Sequence, residues 1–245
     1  MAERTLRVGA LYPDLLKIYA DRGNLLLLER RCAWRGIGFE LRGIGLGERL
    51  DPDAHDLLYI GGGQDRDQAL CAHDMVETKR DALHAAAERG AVVFGVCGGY
   101  QLLGHDYQLG DETLPGVGLV DLTTVRGDGP RLIGNVAIEL DSDPMIIAGF
   151  ENHGGRTLLG PGATPLGRVL RGHGNDGESG FEGVRGGPHG TVVGTYLHGP
   201  LLPKNSHFAD WLTATALGST PGELAPLDDA LEAAAHAAAR RAAGL

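Results

Sequence analysis

Lysine is scarce in these 245 residues: only Lys17, Lys79 and Lys204 occur, and none follows a glycine. The phosphate-binding loop G-x-x-x-x-G-K-[ST] is therefore absent, so any ATP-driven step linked to this protein through such a loop belongs to another chain. Cysteine is nearly as rare. Cys32, Cys71 and Cys97 are odd in number and far apart, which excludes a disulfide framework and a C-x-x-C metal clip. Bases are outnumbered by acids, 22 to 32, and the net charge of −10 has the wrong sign for a protein that coats nucleic acid or anionic lipid by itself. No apolar run reaches membrane-spanning length, and the start M-A-E-R-T lacks a signal peptide's apolar segment. These absences lead us to expect a cytoplasmic protein without nucleic-acid binding, direct membrane insertion or a metal site.

Glycine, by contrast, is abundant, at 40 residues without a collagen-like period, and this points to many tight turns and close backbone approaches. Hydrophobic residues make up 42%, enough for a substantial core in one domain. The pattern predicts strands at Leu6–Leu11, Phe39–Ile44, Asp56–Ile60 and Ala91–Val96. Between them it predicts helices over about 22–35, capped by Asp21 and ended by Gly36, and over about 66–89 with a break near His73-Asp74. Strands alternating with helices mean a mostly parallel α/β sheet flanked by helices. After Gly104 the texture turns to β-type segments at Val117–Val125, Leu132–Leu140, Met145–Phe150 and Val169–Leu170, which suggests a mixed or antiparallel extension. Gly172–Gly190 looks like a loop-rich insertion, and Thr191–Leu197 is another strand. Past it, Asn205 is placed to cap a helix that carries Phe208, Trp211 and Leu212 on one face. We expect a single domain over 1–218 and an alanine-rich helical tail over 219–245, whose early acids and late Arg240-Arg241 suit a helix dipole.

The chemistry gathers at strand ends, where open α/β sheets bind ligands. In A-V-V-F-G-V-C-G-G-Y-Q-L-L a buried-type strand runs into Cys97 and two glycines, the arrangement of a nucleophile elbow before an amphipathic helix. Backbone amides at a helix start favour a thiolate. The competing reading is a buried structural cysteine. Gly61-Gly62-Gly63 ends another strand and can aim N–H groups at a ligand, or simply form a turn. His198 ends the Thr191–Leu197 strand and is the preferred base for Cys97, with His153 in E-N-H-G-G-R-T as its rival. The other histidines, at 55, 73, 84, 105, 173, 189, 207 and 236, read as solvated. Asp14, Asp21 and Arg22 read equally as turn chemistry or as residues at a site mouth.

Strand-G-V-C-G-G-Y-Q followed about a hundred residues later by T-Y-L-H-G-P resembles the class I glutamine amidotransferases, which have a flavodoxin-like fold, in the branch that includes cobyric acid synthase. L-Y-P-D-L-L-K-I-Y-A-D-R-G-N, G-G-G-Q-D, R-L-I-G-N, F-E-N-H-G-G-R-T and Y-L-H-G-P-L-L-P-K-N narrow the resemblance to the glutaminase subunits of lipid II isoglutaminyl synthases. The resemblance implies that Cys97 attacks the side-chain amide of L-glutamine and that His198 acts as general acid and base. It further implies that the backbone amides of Gly62 and Gly98 hold the oxyanion, and that Gln101 and Arg131 face the substrate. It implies no cofactor on this chain. ATP and magnesium are expected on a MurT-like ligase partner, which would handle lipid II and amidate its D-glutamate to D-isoglutamine. One position departs from the wider class: where many members carry a glutamate two residues after the histidine, this chain has Pro200, which cannot orient an imidazole. A glutaminase for a cobyrinate-type acceptor and a non-catalytic scaffold subunit are the alternatives.

Overall fold

The computed structural model describes residues 4–18, 22–140 and 145–245, so the predicted cap Asp21 lies outside the described residues. In chain order the elements are β1 (Thr5–Leu11), α1 (Arg22–Trp34), β2 (Gly38–Ile44), β3 (Leu57–Ile60), α2 (Asp65–Asp74), α3 (Arg80–Glu88), β4 (Val92–Val96) and α4 (Gly98–Gln101). They continue with β5 (Asp106–Leu109), β6 (Glu112–Pro115), β7 (Leu122–Arg126), β8 (Leu132–Leu140), β9 (Ile146–His153), β10 (Gly155–Leu159) and β11 (Gly167–Arg171). Last come β12 (Phe181–Glu182), β13 (Val184–Gly186), β14 (Val192–Thr195), α5 (Leu201–Lys204), α6 (Ser206–Ala216) and α7 (Ala230–Ala242).

The organising layer is a six-stranded sheet in the order β13-β14-β4-β3-β1-β2, parallel except for the edge strand β13. Its central strands are buried on both faces, which is why they read as unbroken apolar runs. Alternate side chains divide between two cores. Leu58, Ile60 and Val93 join Met75, Leu83 and Tyr100 on one face, and Leu57, Tyr59, Val92 and Phe94 join Leu28, Phe208 and Leu212 on the other. Two four-stranded sheets, β10-β7-β5-β6 and β12-β11-β8-β9, form the extension predicted after Gly104.

Local differences have local causes. The predicted break near His73-Asp74 is a π-helical turn over Met75–Lys79, where Lys79 turns inward to pair with Asp74 and lies over the Tyr12 ring. Val117–Val120 is not strand: its amides bond back to Leu102, Leu103 and Gly104, and the strand starts only at Leu122. The strands β12 and β13 lie inside Gly172–Gly190, which the sequence reads as loop-rich because each is short and glycine-bounded, and the short hairpin β5–β6 stands where no element was predicted. Asn205 precedes α6 but does not cap it. Its amide instead joins Ala148 N, Ala148 O and Leu201 O, tying α5 to β9.

The tail helix α7 is held at its start by charge. Arg31 of α1, with a side chain 0% exposed, is bidentate on Asp210 of α6 and also on Asp229, which precedes α7. Further along, His236 Nδ1 lies 3.0 Å from Lys204 O, and Asn135 donates to Ala242 O. A buried cation stripped of its partners, or a buried pair missing its cation, costs about 3–5 kcal/mol. Arg31→Ala is therefore expected to lower the unfolding free energy by about 3 kcal/mol or more in denaturant titration, and a loss below about 1 kcal/mol would contradict a structural role for this pair.

Candidate active site

Cys97 links β4 to α4 with φ 54° and ψ −109°, a conformation that non-glycine residues rarely adopt. The contacts around it fix that turn. Cys97 N donates to Thr195 O at 2.8 Å, and Gly99 N donates to Gly61 O at 3.1 Å. The two following residues have no room for a side chain: a Cβ on Gly98 would fall 1.8 Å from Gln68 Nε2, and one on Gly99 would fall 2.2 Å from Ile60 O. The predicted amphipathic helix is in fact a single buried turn, Gly98–Gln101. Gly62 backs directly on the nucleophile position, since a Cβ added there would lie 3.3 Å from Cys97 Cβ. Gly98 heads α4, so its N–H has no intrahelical acceptor.

One small cavity gathers Cys97, Gly63, Gln68, Gln101, Arg131, Asn152 and His153. Arg131 stands at its mouth and donates from Nε to Asn152 Oδ1 (2.8 Å) and from Nη2 to Asn152 O (2.9 Å). Gln101 is 3% exposed, and its amide is engaged within the protein: Nε2 donates to Tyr196 OH at 3.1 Å, and Oε1 accepts from Gln68 at 3.3 Å. Its place is thus in the wall, held by neighbours. The Tyr196 hydroxyl also lies 2.6 Å from Thr157 Oγ1, and its ring stacks on His153 at 3.6 Å.

His198 follows β14, the strand beside β4, so both strand ends meet at one sheet edge as the parallel topology requires. Its backbone is clamped to Phe150 in both directions, N to O at 3.0 Å and O to N at 3.1 Å. Burial pulls the imidazole down to about 4, and the positive fields of His153, Lys204 and Arg131 add to that. It is thus uncharged at neutral pH and able to accept a proton. His153, the rival, lines the cavity with Nδ1 2.9 Å from Gly155 O and Nε2 3.8 Å from Glu151 Oε2.

Cys32 and Cys71 are fully buried, one in each core. Burial pushes Cys32 up to about 11 and Cys71 up to about 12, leaving both as inert thiols. Of the histidines expected to be solvated, His55 is 5% exposed, because it packs over Gly9 with its ring atoms about 3 Å from where a Cβ would stand. Asp14 and Arg22 border a separate cavity of about 430 Å³ between α1 and the ends of β1 and β2, and Cys97 is not among its lining residues. Glu151, Asn152 and Tyr196 were carried only as members of the F-E-N-H and T-Y-L-H motifs, and nothing in the sequence signalled Gln68 or the buried carboxyl of Glu182.

A parallel sheet that presents a cysteine on a strained strand–helix turn, beside a glycine turn and a strand-end histidine, defines a glutamine amidotransferase-type α/β domain. Residues 7–206 match the CobB/CobQ-like glutamine amidotransferase domain, and the chain belongs to that family. Within it the chain is a GatD relative. It is 41% identical to the lipid II isoglutaminyl synthase (glutamine-hydrolyzing) subunit GatD of Staphylococcus aureus, covering 83% of this chain and 81% of that one. Against the subunit of the same name from Streptococcus pneumoniae it is 34% identical, over 89% of this chain and 83% of that protein. A cobyric acid synthase of Pelotomaculum thermopropionicum is 34% identical over 86% of this chain but only 41% of its own length. The fold also matches a solved structure described as PurLQS from Thermotoga maritima, with a TM-score of 0.60 at 20% identity, covering 87% of this chain and 95% of that one. The GatD relatives are named as one subunit of a synthase, which implies a partner subunit. Among the described residues, no helix is long and apolar enough to cross a membrane.

The depressed His198 makes a stability prediction with a definite sign. Its folded-state value, about 4, lies below the ordinary 6.5, so between these pH values the unfolded chain binds the extra proton. Its contribution is intact above about 6.5 and is lost as pH falls toward about 4. Melting temperatures over this range should fall less steeply for His198→Gln than for the parent, and identical slopes would contradict a buried neutral imidazole.

Proposed function

We propose that this chain is the glutaminase subunit of a lipid II isoglutaminyl synthase. The observation that carries the proposal is Cys97, held at φ 54° in a cavity shared with Arg131, in a chain 41% identical to a GatD subunit. In this reading Cys97 Sγ attacks the side-chain amide carbon of L-glutamine. Backbone amides of Gly62 and Gly98 hold the developing oxyanion, a contribution of about 3 kcal/mol per donor. His198 keeps the thiolate available and passes a proton to the departing nitrogen. The C–N bond breaks, ammonia leaves and a glutamyl thioester remains. Water, deprotonated by the same imidazole, then releases glutamate. The Arg131 guanidinium at the cavity mouth supplies the charge that holds the amino acid's carboxylate. Gln101 and His153 shape the pocket wall.

The ammonia is delivered to a MurT-like, ATP-dependent ligase subunit, which activates the D-glutamate α-carboxyl of the lipid II stem peptide and yields D-isoglutamine. This places the protein on the cytoplasmic side of peptidoglycan synthesis, with ATP, magnesium and lipid bound by the partner. A cobyrinate-type acceptor is disfavoured because the chain is 41% identical to a GatD subunit and 34% identical to the cobyric acid synthase.

Pro200 supplies no carboxylate for His198, so the isolated subunit is expected to be a weak glutaminase that its partner activates. Equal glutamate release with and without the partner would contradict this. Cys97→Ala should abolish glutamate release from L-glutamine while leaving the complex intact. Arg131→Ala should lower kcat/KM about 100-fold, mainly through KM, and a pure kcat effect would contradict its role in binding.

A further inference from the structure

Glu182 is a buried acid that the mechanism above does not use. It lies in the glycine-rich stretch between β11 and β14, and it is 0% exposed. Its two carboxyl oxygens are spent on the strand end that carries the histidine. Oε1 accepts from Tyr196 N at 2.6 Å, and Oε2 accepts from Thr195 Oγ1 at 3.0 Å. Thr195 Oγ1 in turn accepts from Leu197 N at 3.0 Å, and Thr195 O is the acceptor for Cys97 N. One side chain therefore fixes three consecutive residues leading into His198, and the first of them, Thr195, also accepts from the nucleophile's amide. Gly183 makes the approach possible: it has φ +67°, and a Cβ there would meet Gly194 O at 2.5 Å, so β14 and the Glu182 turn pack backbone to backbone.

We infer that Glu182 is the positioning residue of this site, setting the Thr195–Leu197 backbone so that His198 and Cys97 face one another. The inference rests on the reading of His198 as the base. It also answers a question that Pro200 raises. No acid stands two residues after the histidine; its imidazole packs edge-on against the Phe150 ring, and the backbone that leads into it is anchored from behind by a carboxyl on another strand. Burial drives Glu182 up to about 8, against the hydrogen bonds from Tyr196 and Thr195, so the protein tolerates an acid where its desolvation is costly. Tyr196 extends the anchor forward, through its stack on His153 and its hydroxyl contact with Gln101.

The test uses the full chain co-expressed with its partner subunit. Glu182→Leu keeps the volume and removes both acceptors, and it should lower kcat for glutamate release about tenfold with KM within about twofold. Glu182→Gln, which restores one acceptor oxygen, should recover most of that loss. If Glu182→Leu fails to fold, Thr195→Val carries the same test, since it removes one of the two contacts and keeps the branched strand residue. The decisive readout is the rate of Cys97 alkylation by iodoacetamide, measured by peptide mass spectrometry, with and without His198→Ala. Positioning through His198 predicts a fall of about tenfold when His198 is present and less than about twofold when it is absent. An equal fall in both backgrounds, or none in a variant with parental melting temperature, would overturn the inference. If His198→Ala itself changes neither glutamate release nor alkylation, the assignment of the base fails first, and Glu182 falls with it.

Discussion

Everything at this site depends on one strained residue. A non-glycine residue at φ 54° and ψ −109° costs about 1–3 kcal/mol and survives only where its surroundings over-determine it. Here the surroundings are three parallel strand ends. β4 brings Cys97, β14 supplies the carbonyl that takes its amide, and the turn after β3 supplies Gly61 O for Gly99 N and places Gly62 against Cys97 Cβ. Because a side chain at Gly98 or Gly99 would run into Gln68 or the Ile60 carbonyl, the turn after Cys97 has room only for glycine at both positions. The same three strands that hold the strain bring the proposed base and oxyanion donors within one neighbourhood.

Behind that front layer, buried polar groups hold the second one. Tyr196 joins Thr157, Gln101 and His153, while Glu182 holds the Tyr196 backbone and Glu151 accepts from His173 N and Gly174 N. Such networks are stabilising only when every member is satisfied, and they then specify a single arrangement. Farther out, Arg31 unites α1, α6 and the start of α7 through two carboxylates. Asn205 and His236 connect α7 to α5, the helix that follows His198 at once. The tail thus braces the segment next to the proposed base.

The parallel sheet was legible because its central strands are buried on both faces and so appear as apolar runs ended by glycine. Cys97, Gly62 and His198 were legible for the same reason: each stands at the carboxyl end of such a run. What escaped was what depends on long-range pairing. Glu182 lies in a stretch whose glycines read as loop, and nothing local shows that its carboxyl reaches Tyr196, 14 residues on. Asn205 looked like a cap because capping is a local rule, yet its partners are on β9 and α5. His55 looked solvated in a polar run, and only the packing over Gly9 buries it. Gln101, expected from the resemblance to face the substrate, lines the cavity with its amide committed to Gln68 and Tyr196.

In the proposed reaction Cys97 alone among the three cysteines is a nucleophile for glutamine. The most direct test of that role is covalent labelling of the full chain with a glutamine-like diazoketone, followed by intact-mass measurement and peptide mapping. The expected result is a single adduct on Cys97, suppressed by excess L-glutamine, with Cys32 and Cys71 unmodified. Absence of an adduct on Cys97, or labelling that L-glutamine does not suppress, would contradict it.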